Sequence, residues 1–595
     1  MLELLPVAAV LLLPGFALAV ATNNHQGRSL ADVLGLSFGL SLVGLPLLLL
    51  LAYATFRTVS VVHLSLILVA SAVVILFRVK SLREVRIGKE DVIALLVLAL
   101  TAGIIGLFNS LSPIFPLSYS ADFLLHLALS DEFLQGRADL SSVSYPPGVH
   151  FLIGAGVLLV GLEPFVAMQR IMAVVATLAP LLIYSTVYGV LHHRGTALVA
   201  ALLYLPAGMW WYGLFISGLY SNFYGSLVSL SVFLLLVEYV GGPSKLRMGL
   251  LFLGGLALYL SHFTIVIFLV ALWVMIPLAF FLARSRFKFL VRGLIILTIP
   301  GAIVAAIRPD ALSLILSIPG GSSVGGGITG APRTALASFL GGVSPFLQFL
   351  YFLQSEAFPF LALALVFATP LLVLKQRLSF WVFFFYVWFF AVWATAPSTG
   401  LAWRSAYYAL LPLILVFAVG LKSIDSAVGQ MKIKRVVRRH GVGVLKSTAP
   451  PRLLRNLVLV ALIGVIFASS LLPLQLSDAF RNSEGFRQQN EGVYDAVKWI
   501  RSNTLPNASL LAVGDWRLSY AEHLTGRAVP FYTFVPPDNV TSLATAGGHR
   551  FVIVSRTVVN ERDGSVLNLY ELYKAADGFT VVWENPAVVV FAFKA

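Results

Sequence analysis

Apolar runs of about 20 residues follow one another along this chain, and no other feature limits its fold so strongly. A run of that length spans the hydrocarbon core of a bilayer as a helix. Lipid offers no partner to a backbone N–H or C=O, so only helices or a closed barrel can cross it. The unbroken Leu/Val/Ala/Phe runs lack the alternation of a barrel. Composition agrees: of 595 residues 59% are hydrophobic and 11% charged, against roughly 25% charged in a soluble domain. The sequence predicts a polytopic α-helical membrane protein of about 14 spans. They are read near 4–21, 30–55, 60–78, 91–108, 165–190, 196–214, 223–240, 248–261, 263–282, 290–307, 357–374, 379–396, 403–421 and 454–473. The opening "MLELLPVAAVLLLPGFALAVA" has no Lys or Arg ahead of its apolar core and carries Glu3, so it reads as a retained helix, not a signal peptide.

The net charge of +15 gathers in short connections such as "RVKSLREVRIGK", "HHR", "PSKLR", "RSRFKFLVR", "KQR" and "KIKRVVRRHGVGVLKSTAPPRLLR". That is a topology signal, not a nucleic-acid footprint. With these segments in the cytoplasm, the alternation places loops 109–164 and 308–356, the connection near Phe215–Asn222, and everything after about Leu474 on the outside. Both Asn-x-Ser/Thr acceptors, Asn507 and Asn539, fall in that last region. The expected division is a membrane unit, 1–473, and an extracytoplasmic α/β domain, 474–595. In the latter "EGVYDAVKWIRSNTL" has helical spacing, while "SLLAVG", "HRFVIVSRTVV" and "TVVWENPAVVVFAF" read as strands.

Cysteine is absent, so there is no disulfide framework, thiolate nucleophile or thiolate metal site. The glycine-rich "IPGGSSVGGGITGAPRT" within 308–356 lacks the Gly-Lys-Ser/Thr of a phosphate loop and reads as a linker or a lid. No internal repeat is evident, which weighs against the rival reading of a transporter or lipid flippase. The further rival is a noncatalytic scaffold that presents the C-terminal domain.

The first large loop carries "SYSADFLLHLALSDEFLQGRADLSSVSYPPGVHF". Asp122 stands nearest the emerging helix among apolar neighbours, where a carboxylate is costly without a task or a partner. It suits general-base activation of a hydroxyl attacking an electrophilic carbon. His126, four residues on, shares its helical face. Asp131, Glu132 and Asp139 read first as solvated surface, with Asp131 and Glu132 as rivals for the catalytic part. Asp122 and His126 make half a metal site and no complementary set follows, so no cofactor is required, although a divalent metal is compatible with the loop. Arg404, at the outer end of a late span, suits the phosphate of a lipid-linked donor, with Arg333 as a second candidate. His262 sits at another outer helix end as a substrate contact or a packing residue. Tyr220 and Asn222, with Trp210 and Trp211, read as an interfacial aromatic belt or as the lining of a sugar pocket.

The order of an acidic residue, a helix, "LQG", Tyr145-Pro146-Pro147-Gly148, an apolar helix and "PFVAMQRIMAVVATLAPLLIYSTVYGV" resembles the GT-C superfamily of membrane glycosyltransferases. Its members include the protein O-mannosyltransferases, the lipid A aminoarabinose transferase and, more distantly, the oligosaccharyltransferase catalytic subunit. The resemblance implies a polyprenyl- or dolichyl-phosphate-linked sugar as donor and a hydroxyl of a lipid, glycan or protein as acceptor, with no nucleic acid partner. It implies Asp122 as the catalytic carboxylate, Tyr145 within the Pro-Pro motif as a substrate contact, and Arg170 as the Arg opening the next span. "YDAVKWIRSNTLPNASLLAVGDWRLSYAEHLTGR" is similar to the external domains of these enzymes. There are two departures. No second acid stands beside Asp122, and no peptide-acceptor motif of the Trp-Trp-Asp-Tyr-Gly kind occurs, so peptide N-glycosylation is not expected. The expected location is the cell membrane with the active site outside. Two sequons, no cysteine and an excess of Arg over Lys suit an archaeon.

Overall fold

The computed structural model describes residues 5–111, 122–138, 146–161, 164–204, 220–261, 265–282, 286–307, 380–395, 411–420, 422, 433–439, 442–448, 478–532, 534–559 and 566–593. Helices dominate the membrane unit: α1 (Leu5–Ala21), α2 (Leu30–Phe56), α3 (Val61–Phe77), α4 (Lys89–Leu111), α5 (Asp122–Leu134), α6 (Gly148–Val160), α7 (Pro164–Leu191), α8 (Arg194–Leu203), α9 (Tyr220–Gly241), α10 (Lys245–Tyr259), α11 (Ile265–Leu282), α12 (Phe287–Ile307) and α13 (Phe380–Thr395). A further apolar helix, α14, covers Leu411–Gly420. Among the described residues, four helices are long and apolar enough to cross a membrane: 30–56, 170–191, 220–241 and 287–304. Shorter apolar helices stand at several of the other expected spans, among them Leu5–Ala21, Val61–Phe77 and Phe380–Val392. The chain is a multi-pass membrane protein. Of the expected spans, 357–374 and 454–473 lie outside the described residues, as do 205–214 of the span expected at 196–214 and 403–410 of the one at 403–421.

The centre of the bundle is α2, buried along most of its length and packed against α1, α7, α9 and α10. Its approach to neighbours depends on small residues, because without a hydrophobic drive between helices in lipid, close backbone packing supplies the attraction. A Cβ on Gly35 would sit 2.1 Å from the Leu181 carbonyl oxygen of α7. One on Gly15 of α1 would sit 1.8 Å from the Ser37 carbonyl of α2, and the Gly15 N–H donates to Ser41 Oγ at 2.8 Å.

Two faces of the bundle can be told apart by what meets there. On one, Arg28 pairs with Asp32 at 2.8 Å and with Glu238, and Arg247 lies 3.5 Å from Glu238. Ser29 bridges to Arg86. This face collects the basic connections. On the other, α5 packs on α6 and α7, and α6 also touches α2. Gly148 N–H donates to the Leu260 carbonyl at 2.7 Å, joining the start of α6 to the end of α10. With 13 residues, α6 is roughly 20 Å long and too short to cross a core of about 30 Å.

Beyond the bundle, β1 (Ile433–Arg439) and β2 (Val442–Thr448) form an antiparallel hairpin within what the sequence suggested was only a basic connection. The C-terminal unit opens with α15 (Asp478–Asn503) and continues through β3 (Leu510–Val513), α16 (Ala521–Thr525), β4 (Phe531–Tyr532), α17 (Pro537–Gly547), β5 (Phe551–Ser555), β6 (Thr557–Val559), β7 (Val566–Asn568), α18 (Leu569–Lys574), β8 (Phe579–Glu584) and β9 (Val588–Phe593). Five strands form one sheet in the order β4-β3-β5-β9-β8, with β4, β3 and β5 parallel and β9 and β8 antiparallel. Alternate residues serve two cores, as the pleat requires. Leu510, Ala512, Ile553 and Val590 share the core of α15, whereas Leu511, Val513, Val554 and Phe591 face Tyr573 and Val540. The expected α/β domain is therefore present. Both sequon asparagines, Asn507 and Asn539, are exposed in it.

Candidate functional site

Helix α5 begins at Asp122 and carries the candidate residues of the first loop. The Asp122 side chain is outside the described set, as are Tyr145, His262, Arg333, Arg404, Asp139, Trp210 and Trp211.

His126, one turn beyond Asp122, is buried. Its Nδ1 lies 2.9 Å from Nε2 of His150, which is fully buried in the first turn of α6. The imidazole of His126 also lies with its centroid 5.9 Å from the ring of Tyr220, at the start of α9. Tyr220 is fully buried, so it belongs to this cluster and not to an interfacial belt. Asn222, in the same turn of α9, is buried as well. Burial, and next the neighbouring His126, hold the His150 pKa well below the ordinary histidine value. A neutral His150 has one ring N–H and one acceptor nitrogen, so the pair shares a single proton along the Nδ1···Nε2 line. Sequence reasoning passed over His150, since a lone histidine after Pro-Pro in an apolar run carries no periodic signal.

Two turns along α5, Asp131 is buried and not solvated surface. It accepts from Gln135 at 2.8 Å, from Arg137 at 3.3 Å and from Arg501 of α15. Arg501 thereby ties the C-terminal unit to the first-loop helix, and α16 packs against the same helix. Burial, set against the pull of Asp131, lowers the Arg137 pKa. Glu132 is partly buried, and its carbonyl accepts N–H groups from Arg137 at 2.9 Å and Ala138 at 3.3 Å. The helix ends at Gly136, whose φ of 68° suits glycine and where a Cβ would sit 2.4 Å from the Arg57 carbonyl oxygen. Tyr53 of α2 donates its hydroxyl to the Ala138 carbonyl, anchoring the chain just beyond this turn.

The site therefore gathers four pieces of sequence the topology had placed on one side: α5, the start of α6, the start of α9 and the C-terminal unit. Arg170 is partly buried in α7. No group of three or more potential metal ligands occurs among the described residues.

No protein-family model matches the chain, and no curated protein matches it. Among solved structures it is similar to the oligosaccharyltransferase of Archaeoglobus fulgidus in its apo form, at 12% identity and a TM-score of 0.49, over 78% of this chain and 69% of that one. It is also similar to ArnT from Cupriavidus metallidurans bound to undecaprenyl phosphate, at 12% identity and a TM-score of 0.46, over 84% of this chain and 97% of that one. The same ArnT in its apo state matches at 14% identity and a TM-score of 0.47, over the same shares.

Proposed function

We propose that the chain is a GT-C-like membrane glycosyltransferase that moves a sugar from a polyprenyl-phosphate-linked donor to a hydroxyl acceptor, working at the extracytoplasmic face. The observation that carries this reading is the grip on α5. The helix headed by Asp122 is packed on α6 and α7 from the bundle side and tied through Asp131 to Arg501 from the C-terminal unit. A catalytic carboxylate needs such fixed support, because small misplacements cost rate.

In the proposed reaction the acceptor oxygen attacks the anomeric carbon in a single inverting displacement. Asp122 takes the hydroxyl proton, the bond from the anomeric carbon to the phosphate oxygen breaks, and the lipid phosphate leaves with the electron pair. Phosphate is a competent leaving group, so one carboxylate suffices where a glycosidase uses two. Arg404 and Arg333 are proposed to stabilise the departing phosphate. Glu132, Tyr145 and His262 are proposed as substrate contacts, and the His126–His150 pair as the support of the face that Asp122 shares. Asp131, the remaining candidate, has its oxygens engaged by Gln135, Arg137 and Arg501, which fits positioning better than proton transfer. The test is turnover of a panel of polyprenyl-phosphate sugars by purified wild type and Asp122→Asn.

A further inference from the structure

A cavity of about 430 Å³ opens on the basic face, far from α5. Six helix ends meet around it: those of α7, α9 and α14 finishing, and of α10, α12 and α13 beginning. The 28 residues of α7 put roughly 42 Å between the first-loop face and His192. Arg286, Lys422 and His192 line the cavity, and Trp381 and Phe380 form an aromatic wall. The volume is that of a site for a small molecule or a headgroup.

The positive-inside bias explains why cations lie in these connections. It does not explain their convergence on one cavity. Nor do local acids neutralise them. Glu238, the one carboxylate in the lining, is taken by Arg28 and Arg247, while Arg28 also holds Asp32. Two arginines and two carboxylates balance there. Arg247 is further engaged with the Gly242 carbonyl at 2.7 Å and Asn24 Oδ1 at 3.2 Å. Arg286, exposed at the mouth, and Lys422, partly buried, have no carboxylate partner among the described residues. A partly buried ammonium and an arginine lining one cavity, with an aromatic wall and no carboxylate partner among the described residues, are complementary to a phosphate ester carrying an apolar body.

We propose that this cavity binds a phosphate ester, with Arg286 and Lys422 on the phosphate and Trp381 against the apolar part. The site stands apart from the proposed sugar-transfer site and does not rest on that reading. The full chain in nanodiscs of phosphatidylcholine with increasing phosphatidylglycerol tests it by native mass spectrometry, with inorganic phosphate added in a parallel thermal-shift series. Wild type is expected to retain phosphatidylglycerol saturably. The double variant Arg286→Gln/Lys422→Gln is expected to bind at least about tenfold more weakly. Gly241→Glu gives a second variant, since a Cβ there meets nothing within 4 Å and the new carboxylate would enter the cavity. It is expected to lose binding while folding normally. Saturable stabilisation by inorganic phosphate alone, lost in the same variants, supports the site with a soluble phosphate ester as its ligand. Absence of saturable binding by either probe, or wild-type affinity in both variants, overturns the proposal.

Discussion

Arg501, near the end of the helix that opens the C-terminal unit, donates to Asp131 of the first-loop helix, 370 residues earlier in the chain. The Asp131 side chain retains 9% of its exposure and Arg501 31%, so the pair is shielded enough to matter where a surface pair contributes little. Arg137 still holds Asp131 when Arg501 is removed, and both arginines keep solvent contact, so losing the pair is expected to cost about 1 kcal/mol. Asp131→Asn and Arg501→Gln are each expected to loosen the C-terminal unit from α5, read as faster hydrogen exchange in 122–138 and 521–525. The double variant should be less harmful than the sum, with a coupling of about 1 kcal/mol. Additive effects would mean that the contact is incidental.

Gly35 allows α2 and α7 to touch backbone to backbone. Gly35→Leu drives a side chain into the Leu181 carbonyl and is expected to lower the thermal midpoint sharply, with loss of monodisperse protein in detergent. A substitution at Gly103, where a Cβ meets nothing within 4 Å, is expected to leave the midpoint near wild type.

Tyr53→Phe removes the hydroxyl that satisfies the Ala138 carbonyl. The loss is expected to be about 1–3 kcal/mol and local, raising exchange around 135–138 more than in α1 or α9.

The His126–His150 pair gives a pH signature. His150 has a folded pKa below its unfolded value, so the unfolded chain binds more protons and stability rises with pH across the interval between the two. The contribution is complete above an unfolded value of about 6.5 and is lost as pH falls below it. Wild type is therefore expected to lose more thermal stability than His150→Gln between neutral and mildly acidic buffer. Parallel curves for the two proteins would remove the role given to burial.

How much of this was legible in the sequence follows from the range of the forces involved. Lipid imposes long apolar runs on whatever crosses it, so α2, α7, α9 and α12 lie within a few residues of where the runs place them. The strands around Leu510 and Val588 were legible from β-branched runs between polar turns. Asp131 was not, because a carboxylate on a loop helix reads as solvated until its distant arginine is known. Tyr220 was left between a belt residue and a pocket lining because its burial depends on α5 arriving from another part of the chain. The hairpin at 433–448 was hidden by its charge, which reads as a topology signal before it reads as two strands.

The central claim is that Asp122 activates a hydroxyl for attack on a lipid-linked sugar. Purified wild type and Asp122→Asn should be compared for binding and turnover of polyprenyl-phosphate sugars. The account predicts that both bind one of these donors with similar affinity. It further predicts that wild type transfers or slowly hydrolyses that donor, while the variant is slower by about 10²-fold or more. Full activity in Asp122→Asn, or no binding of any lipid-linked sugar by wild type, would contradict it.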